Sequence, residues 1–328
     1  MINHYKNMQY APIIIFAFNR PKALRNVVCS LLQNTEARES DLYIFVDGAR
    51  LHKDGELKEV ELVREYVISI TGFKTLHYTF SEVNKGLGAS IIDGVSEVIN
   101  RYGKVIVLED DLCVQPNFLA FMNQGLKYYE KVNGVFSICG YNNKIKIPKD
   151  YKADAYIYNR SSSWGWATWK DRWDTIDWKL EPFDIYKSKA RVFRCWAGSD
   201  AWKMLNDWHK GKNNSWAIRF VFAQFLQNKK CVNPCYSLIN NRGFDGQGTN
   251  CKSWSRFKFE LESTGKKNFV WPTQLSIHSC LFKRAMWYNS VSYTHLLCYN
   301  IFFVCINYFL LFVYLLEPYI RWTNIKMF

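Results

Sequence analysis

Over the first 140 residues, apolar runs and polar stretches alternate with a steady rhythm. The runs fall at 12–18 (PIIIFAF), 42–46 (LYIFV), 75–80 (TLHYTF), 105–108 (VIVL) and 135–139 (VFSIC). Their length and β-branching predict strands, and VIVL suits a strand buried on both faces. The spacing of roughly thirty residues matches a strand-plus-helix unit. Between the runs the periodicity is helical. After Pro21, residues Leu24, Val27, Val28, Leu31 and Leu32 share one stripe, and Pro21 stands at an early helical position. Further helices are predicted over 59–70, 89–102 and 118–129. Strands alternating with helices imply a mostly parallel α/β sheet covered on both faces.

From about residue 141 the rhythm stops. Trp164, Trp166, Trp169, Trp173, Trp178, Trp196, Trp202, Trp208 and Trp216 follow closely, then a Gly-rich polar stretch over 240–250. No linker separates the two parts. Residues 1–140 read as an α/β half, 141–255 as a second half of the same domain, 256–295 as a basic connector and 296–328 as a C-terminal segment. Residues 296–316 (LLCYNIFFVCINYFLLFVYLL) hold no charge and have the length of a bilayer-spanning helix. Lys283 and Arg284 precede the run, and Arg321 and Lys326 follow it, so the basic flanks set no orientation. Asn300 and Asn307, seven apart, share a helix face. A membrane span, a helix lying in the interface and a buried or dimerising helix all fit; membrane attachment is favoured.

Composition narrows the picture. With 48% hydrophobic and 17% aromatic residues, 328 residues can bury a large core. A net charge of +14 suits nucleic acid, an anionic membrane surface or phosphorylated substrates. No basic array joins a nucleic-acid motif, so a nucleic-acid partner is not expected. The ten cysteines form no C-x-x-C pair, and Cys231 with Cys235 lacks a matching second pair for zinc. Several lie in apolar runs, as free thiols do. A reducing compartment is expected, and Met1 to Tyr10 carry no signal peptide.

The strongest chemical signal is Glu109-Asp110-Asp111, directly after VIVL. Carboxylates at the C-terminal end of a strand sit where open α/β sheets bind ligands. Three adjacent negative charges call for a cation, and oxygen ligands favour Mg²⁺ or Mn²⁺. An acidic turn opening the next helix, with Pro116 and Asn117, is the plain alternative. Three more groups fall near strand ends: Arg20, Asp47 and Lys85. Together they suit a nucleotide diphosphate; singly, Arg20 and Asp47 read as helix caps and Asn84–Gly88 as a turn. The first strand ends in Phe18-Asn19-Arg20-Pro21 with no G-x-G-x-x-G, so a dinucleotide fingerprint is excluded.

At these residues the chain resembles a family. IIIFAFNRP (13–21), FVDG (45–48), NKGLGASI (84–91), VIVLEDDLCVQPNF (105–118), SSWGWATW (162–169), SWAIR (215–219) and NRGFDGQGTN (241–250) are similar, in order, to inverting GT-A glycosyltransferases. The likeness covers about residues 11–250. It is nearest to bacterial family-2-like enzymes and extends to family-13 N-acetylglucosaminyltransferases. The resemblance implies a GT-A type, Rossmann-like, mostly parallel sheet with helices on both faces, a Trp-rich acceptor lobe and a C-terminal apolar helix. It implies Mn²⁺ or Mg²⁺ at Asp111, supported by Glu109 and Asp110. Arg20 and Asp47 would recognise the base, most often uracil, with Lys85 in the same donor site. The substrates implied are a UDP-sugar and a surface glycan or lipid-linked acceptor, at the cytoplasmic side of the membrane.

The sequence departs from the pattern at SWAIR, where family-13 enzymes carry an acidic pair after the Trp. Asp245, set between Gly243 and Gly246, is the first candidate for the general base, with Asp207 and Asp200 in reserve. Asp-Gly is also a turn dipeptide. Asn250 stands where the resemblance implies a nearby histidine, and it is a poor metal ligand. Trp164 and Trp166, in a Ser- and Gly-rich stretch, are candidates for stacking on the acceptor sugar; core packing is their other reading. A sugar nucleotidyltransferase of the same fold is one alternative function. It usually has a Gly-rich basic loop after the first strand, which FNRPKALRN lacks. A catalytically silent glycan- or nucleotide-binding protein is the other.

Overall fold

The structure is a computed structural model that describes residues 10–50, 52–142, 145–242 and 265–290. The predicted rhythm is realised as β1 (Ile13–Ala17), α1 (Pro21–Leu32), β2 (Asp41–Val46), α2 (Glu56–Ile68), β3 (Thr75–Phe80), α3 (Leu87–Tyr102) and β4 (Lys104–Glu109). Then follow β5 (Leu112–Val114), α4 (Phe118–Tyr128), β6 (Val135–Cys139), β7 (Ala155–Tyr158), β8 (Trp166–Trp169) and α5 (Lys170–Trp173). The chain continues with α6 (Ala190–Ala197), α7 (Ala201–His209), α8 (Trp216–Leu226), β9 (Lys230–Pro234), β10 (Ile239–Asn241) and α9 (Ser279–Ser290).

Among the described residues the main sheet has eight strands in the order β3-β2-β1-β4-β8-β6-β9-β7. The first four are parallel; β8 runs against both β4 and β6, and β7 against β9. One sheet therefore passes through both halves. A second ribbon pairs β10 with β5, antiparallel.

The apolar runs of β1, β2, β4 and β6 form strands that are covered on both sides, whereas β3 at the sheet edge stays largely exposed. In β1, Ile13, Ile15 and Ala17 face one core layer, and Ile14 and Phe16 face the other. In β4, Ile106 and Leu108 alternate with Val105 and Val107 in the same way. The stripes of α1, α2 and α4 pack on the first face. Those of α3 and α8 pack on the second. A third cluster gathers Phe183, Phe193, Leu205 and Phe222 into a helical lobe beside α8.

Part of the connector belongs to the core. Trp271 is buried. Asn117 Nδ2 donates to Lys266 O at 3.0 Å and Tyr129 Oη to Pro272 O at 2.8 Å. Every described cysteine is free. Among the described residues no helix is long and apolar enough to cross a membrane. The apolar run 296–316 lies outside them.

Candidate active site

Strand order changes direction between β1 and β4, since β1 leads outward to β2 on one side and meets β4 on the other. Open α/β sheets leave a crevice at such a switch point, beyond the carboxyl ends of the strands. A cleft of about 210 Å³ lies there. Its wall comes from four segments: Phe16 to Arg20 at the end of β1 and beyond it, Asp47 and Arg50 after β2, Gly86, Leu87 and Ser90 at the start of α3, and Glu109 with Asp110 at the end of β4.

The acidic triplet begins on the last residue of β4, Glu109, and Asp110 and Asp111 form the turn into β5. It does not open a helix, because β5 intervenes before α4. Arg20, ninety positions earlier, reaches back across the switch point. Its Nη1 donates to Asp111 Oδ2 at 3.0 Å, and its Nη2 and Nε donate to the two oxygens of Asp110. Burial alone would lower the Arg20 pKa; the Asp110 and Asp111 charges outweigh burial and raise it. Burial pushes the Glu109 carboxyl up, and the neighbouring Asp111 and Asp110 charges add to the shift. Asp110 is also raised by burial, against the opposing pull of Arg20.

Three carboxyl groups and one guanidinium leave the turn short of positive charge. Asp111 Oδ1 is buried without a hydrogen-bond partner among the described residues. A hard divalent cation fits that orphaned oxygen. Among the described residues no group of three or more His, Cys, Asp or Glu side chains converges as a metal cage. Ions shared with substrate phosphates need only one or two carboxylates from the protein. The donor set therefore fits Mg²⁺ or Mn²⁺, with Asp111 as the candidate ligand.

Asp47 builds the opposite wall. Its Oδ1 accepts from the backbone N–H of Gly48 at 3.0 Å and Lys85 at 2.8 Å, and its Oδ2 from Gly86 at 2.9 Å. Asn84 Nδ2 adds a bond to Gly48 O at 2.8 Å. The FVDG and NKGLG motifs are thus two sides of one contact. Gly48 has no room for a side chain, because a Cβ would meet the Val83 carbonyl carbon at 2.5 Å. Gly86 turns at φ +79°, where L side chains are strained. Lys85 contributes its backbone here. Its Nζ lies 3.9 Å from Asp93 and does not line the main cleft.

Sequence reasoning missed Asn19, Arg50 and Glu56. Glu56 is buried; it accepts from Arg50 N at 2.8 Å, pairs with the Arg50 guanidinium and takes a bond from Asn19 Nδ2 at 3.2 Å. Arg50 holds the Glu56 carboxyl down at about 2, mainly through the side-chain hydrogen bond. The available signal was Glu56 itself, an acidic residue at the first turn of a helix that faces inward.

The remaining candidates scatter. Trp166 is 1% exposed and stacks among Trp173, Trp216 and Phe220 at 5.0–5.8 Å between ring centres. That corrects its expected acceptor contact, since no face is left for a sugar. Trp164 is partly buried, edge-on to Tyr141 at 4.5 Å. Asp207 pairs with Lys203, and Asp200 with Arg160 at 2.7 Å; neither lines the cleft. The first turn of α8 carries no acid, and Ser215 caps it by accepting from Ile218 N. Asp245 and Asn250 lie outside the described residues. The chain leading to them starts at the triplet: Arg242 N–H donates to Asp111 O at 2.9 Å.

Some solved structures are similar in backbone. One is the mannosyltransferase PcManGT from Pyrobaculum calidifontis in complex with GDP-Man and Mn²⁺, at 11% identity and TM-score 0.32, covering 53% of this chain and 47% of that one. A second is S. aureus TarS in complex with UDP, at 13% identity and TM-score 0.38, covering 70% and 59%. A third is LgtC, at 14% identity and TM-score 0.35, covering 53% and 64%. This chain thus spans less than two thirds of each. At such scores the likeness decides nothing about chemistry. No curated protein matches the chain. The family model described as glycosyl transferase family 2 matches residues 13–178, just over half of the 328. The chain belongs to glycosyl transferase family 2.

Proposed function

We propose that this glycosyltransferase is metal-dependent and inverting, and that it moves a sugar from a UDP-sugar to a surface glycan or lipid-linked acceptor. The observation that carries the reading is the cleft at the β1/β4 switch point. There Arg20, Glu109 and Asp110 line the cleft together with the backbone cradle fixed by Asp47, and Asp111 stands just behind, tied to Arg20.

Arg20 supplies positive charge where a diphosphate would lie, already oriented by Asp110. Asp47 sets the loop that opens α3, and Phe16, Phe18 and Phe45 give the cleft an apolar lining suited to a base. Asp111, with its orphaned oxygen, would hold Mn²⁺ or Mg²⁺. When bound, such an ion neutralises charge on a leaving diphosphate. The proton of the attacking hydroxyl goes to a carboxylate. Asp245 is the candidate, three residues past Arg242 in the sequence. Membrane attachment through 296–316, facing the cytoplasm, belongs to the same reading and rests on hydropathy alone.

The absence of acid in the first turn of α8 favours one second reading, a silent glycan- or nucleotide-binding protein. Release of UDP from UDP-sugars separates the two. Mn²⁺-dependent release that disappears in Asp111→Ala, with thermal unfolding retained, supports the enzyme. Donor binding without turnover across a broad acceptor panel supports the silent protein.

A further inference from the structure

We propose that the outward face of α6 and the turn before it is a docking surface for an anionic lipid bilayer. The surface is separate from the cleft, and the inference depends neither on glycosyl transfer nor on the apolar run 296–316.

The helix is amphipathic by placement. Phe193 and Ala197 are fully buried in the helical lobe. On the opposite arc, Arg191, Val192, Arg194 and Cys195 are all exposed. The preceding turn (Phe183–Lys189) repeats the division, with Phe183 inward and Ile185, Lys187 and Lys189 outward. Ile185 and Val192 stand 59% and 58% exposed, among the more exposed aliphatic side chains of the described residues, and they fall within one short basic stretch.

The charge on this lobe is one-sided. Residues 183–212 hold seven Lys and Arg against three Asp. Each Asp is already engaged: Asp184 with Lys187 at 2.7 Å, Asp200 with Arg160 and Asp207 with Lys203. Lys189, Arg191 and Arg194 therefore have no carboxylate partner among the described residues. They share the exposed side of residues 185–194 with two aliphatic side chains, Ile185 and Val192. A nucleic acid or an acidic glycan would reward the cations and gain nothing from Ile185 and Val192. A bilayer with anionic headgroups rewards both, with cations at the headgroups and short apolar side chains at the acyl boundary. Each basic residue near such a surface strengthens partitioning about fivefold.

The test is hydrogen exchange of the full-length protein with vesicles of phosphatidylcholine alone or mixed with phosphatidylglycerol. Exchange across 185–195 should slow with the mixed vesicles only, and salt should weaken the effect. K189E/R191E/R194E should abolish that protection and cut the contribution of this face to partitioning about a hundredfold. I185S/V192S should weaken the protection while leaving its salt dependence. Both variants should keep the wild-type melting temperature, since none of these side chains is buried. Unchanged exchange over 185–195, or protection that survives charge reversal, overturns the proposal. So does equal protection by soluble polyphosphate, which would assign the face to polyanions. Sedimentation with vesicles while 185–195 stays unprotected also overturns it, and leaves attachment through 296–316 standing.

Discussion

Asparagine at position 47 would keep the side-chain shape and remove one charge. Asp47 accepts three backbone N–H bonds, two at Oδ1 and one at Oδ2, from Gly48, Lys85 and Gly86. Bonds to a charged acceptor contribute about 1.5–3 kcal/mol each, and neutral ones about 1. Asparagine retains Oδ1, so the first two bonds weaken by about 1 kcal/mol each. Its amide NH₂ then faces the Gly86 N–H, donor against donor, and the third bond is lost at about 2 kcal/mol. The sum, about 4 kcal/mol, is a large share of the 5–15 kcal/mol that holds a typical domain. Urea unfolding followed by tryptophan fluorescence measures it through the midpoint at constant slope. Amide exchange at Lys85 and Gly86 should rise together, and UDP affinity should fall because the cradle loosens. A midpoint change worth less than about 1 kcal/mol would refute the assignment of Asp47 as the post that fixes this wall.

Three further outcomes are expected. Glu56→Gln removes stability that is present above pH 4.5 and disappears as pH falls toward the folded value of about 2. The gap from wild type should reach up to about 3 kcal/mol at neutral pH and close in acid, read by urea midpoints at several pH values. Trp166→Ala empties the centre of an aromatic stack and should cost about 3–5 kcal/mol, whereas a ring lining an acceptor site would change KM and leave stability intact. Asp245→Asn should lower turnover about 10²–10⁴-fold with donor affinity kept, and equal rates for mutant and wild type would remove it as the base.

Much of this was readable in the residues, and the exceptions share a cause. The strands β1, β2, β4 and β6 announced themselves because they are largely buried on both faces, which forces near-continuous apolar runs. Strand β3, at the sheet edge, is mostly exposed and was marked by its aromatic and β-branched residues. The acidic turn was visible because a strand ended in charge. Strand β8 was hidden. WATW alternates nothing and is only four residues long, and its place between β4 and β6 is a long-range pairing that no local pattern encodes. The Arg20 contact with Asp110 and Asp111 spans ninety residues, so the sequence offered Arg20 as a helix cap or a nucleotide contact and not as the partner of the acidic turn. Trp166 sits beside Gly165 in a stretch that reads as loop, yet it begins a strand and is fully enclosed. Arg50 and Glu56 satisfy each other over six residues, a distance at which sequence gives no periodic cue.

The antiparallel strand wedged between β4 and β6 also limits how this molecule can move. Because β8, a strand of the second half, is stitched between β4 and β6, both strands of the first, no clean seam divides the two. A jaw-like swing of one half against the other would have to tear ladder bonds on at least one side. Opening and closing around a substrate must fall instead to the loops at the carboxyl edge. For the same reason a fragment cut near residue 140 would leave β4 with a bare flank, exposed to pairing with other chains.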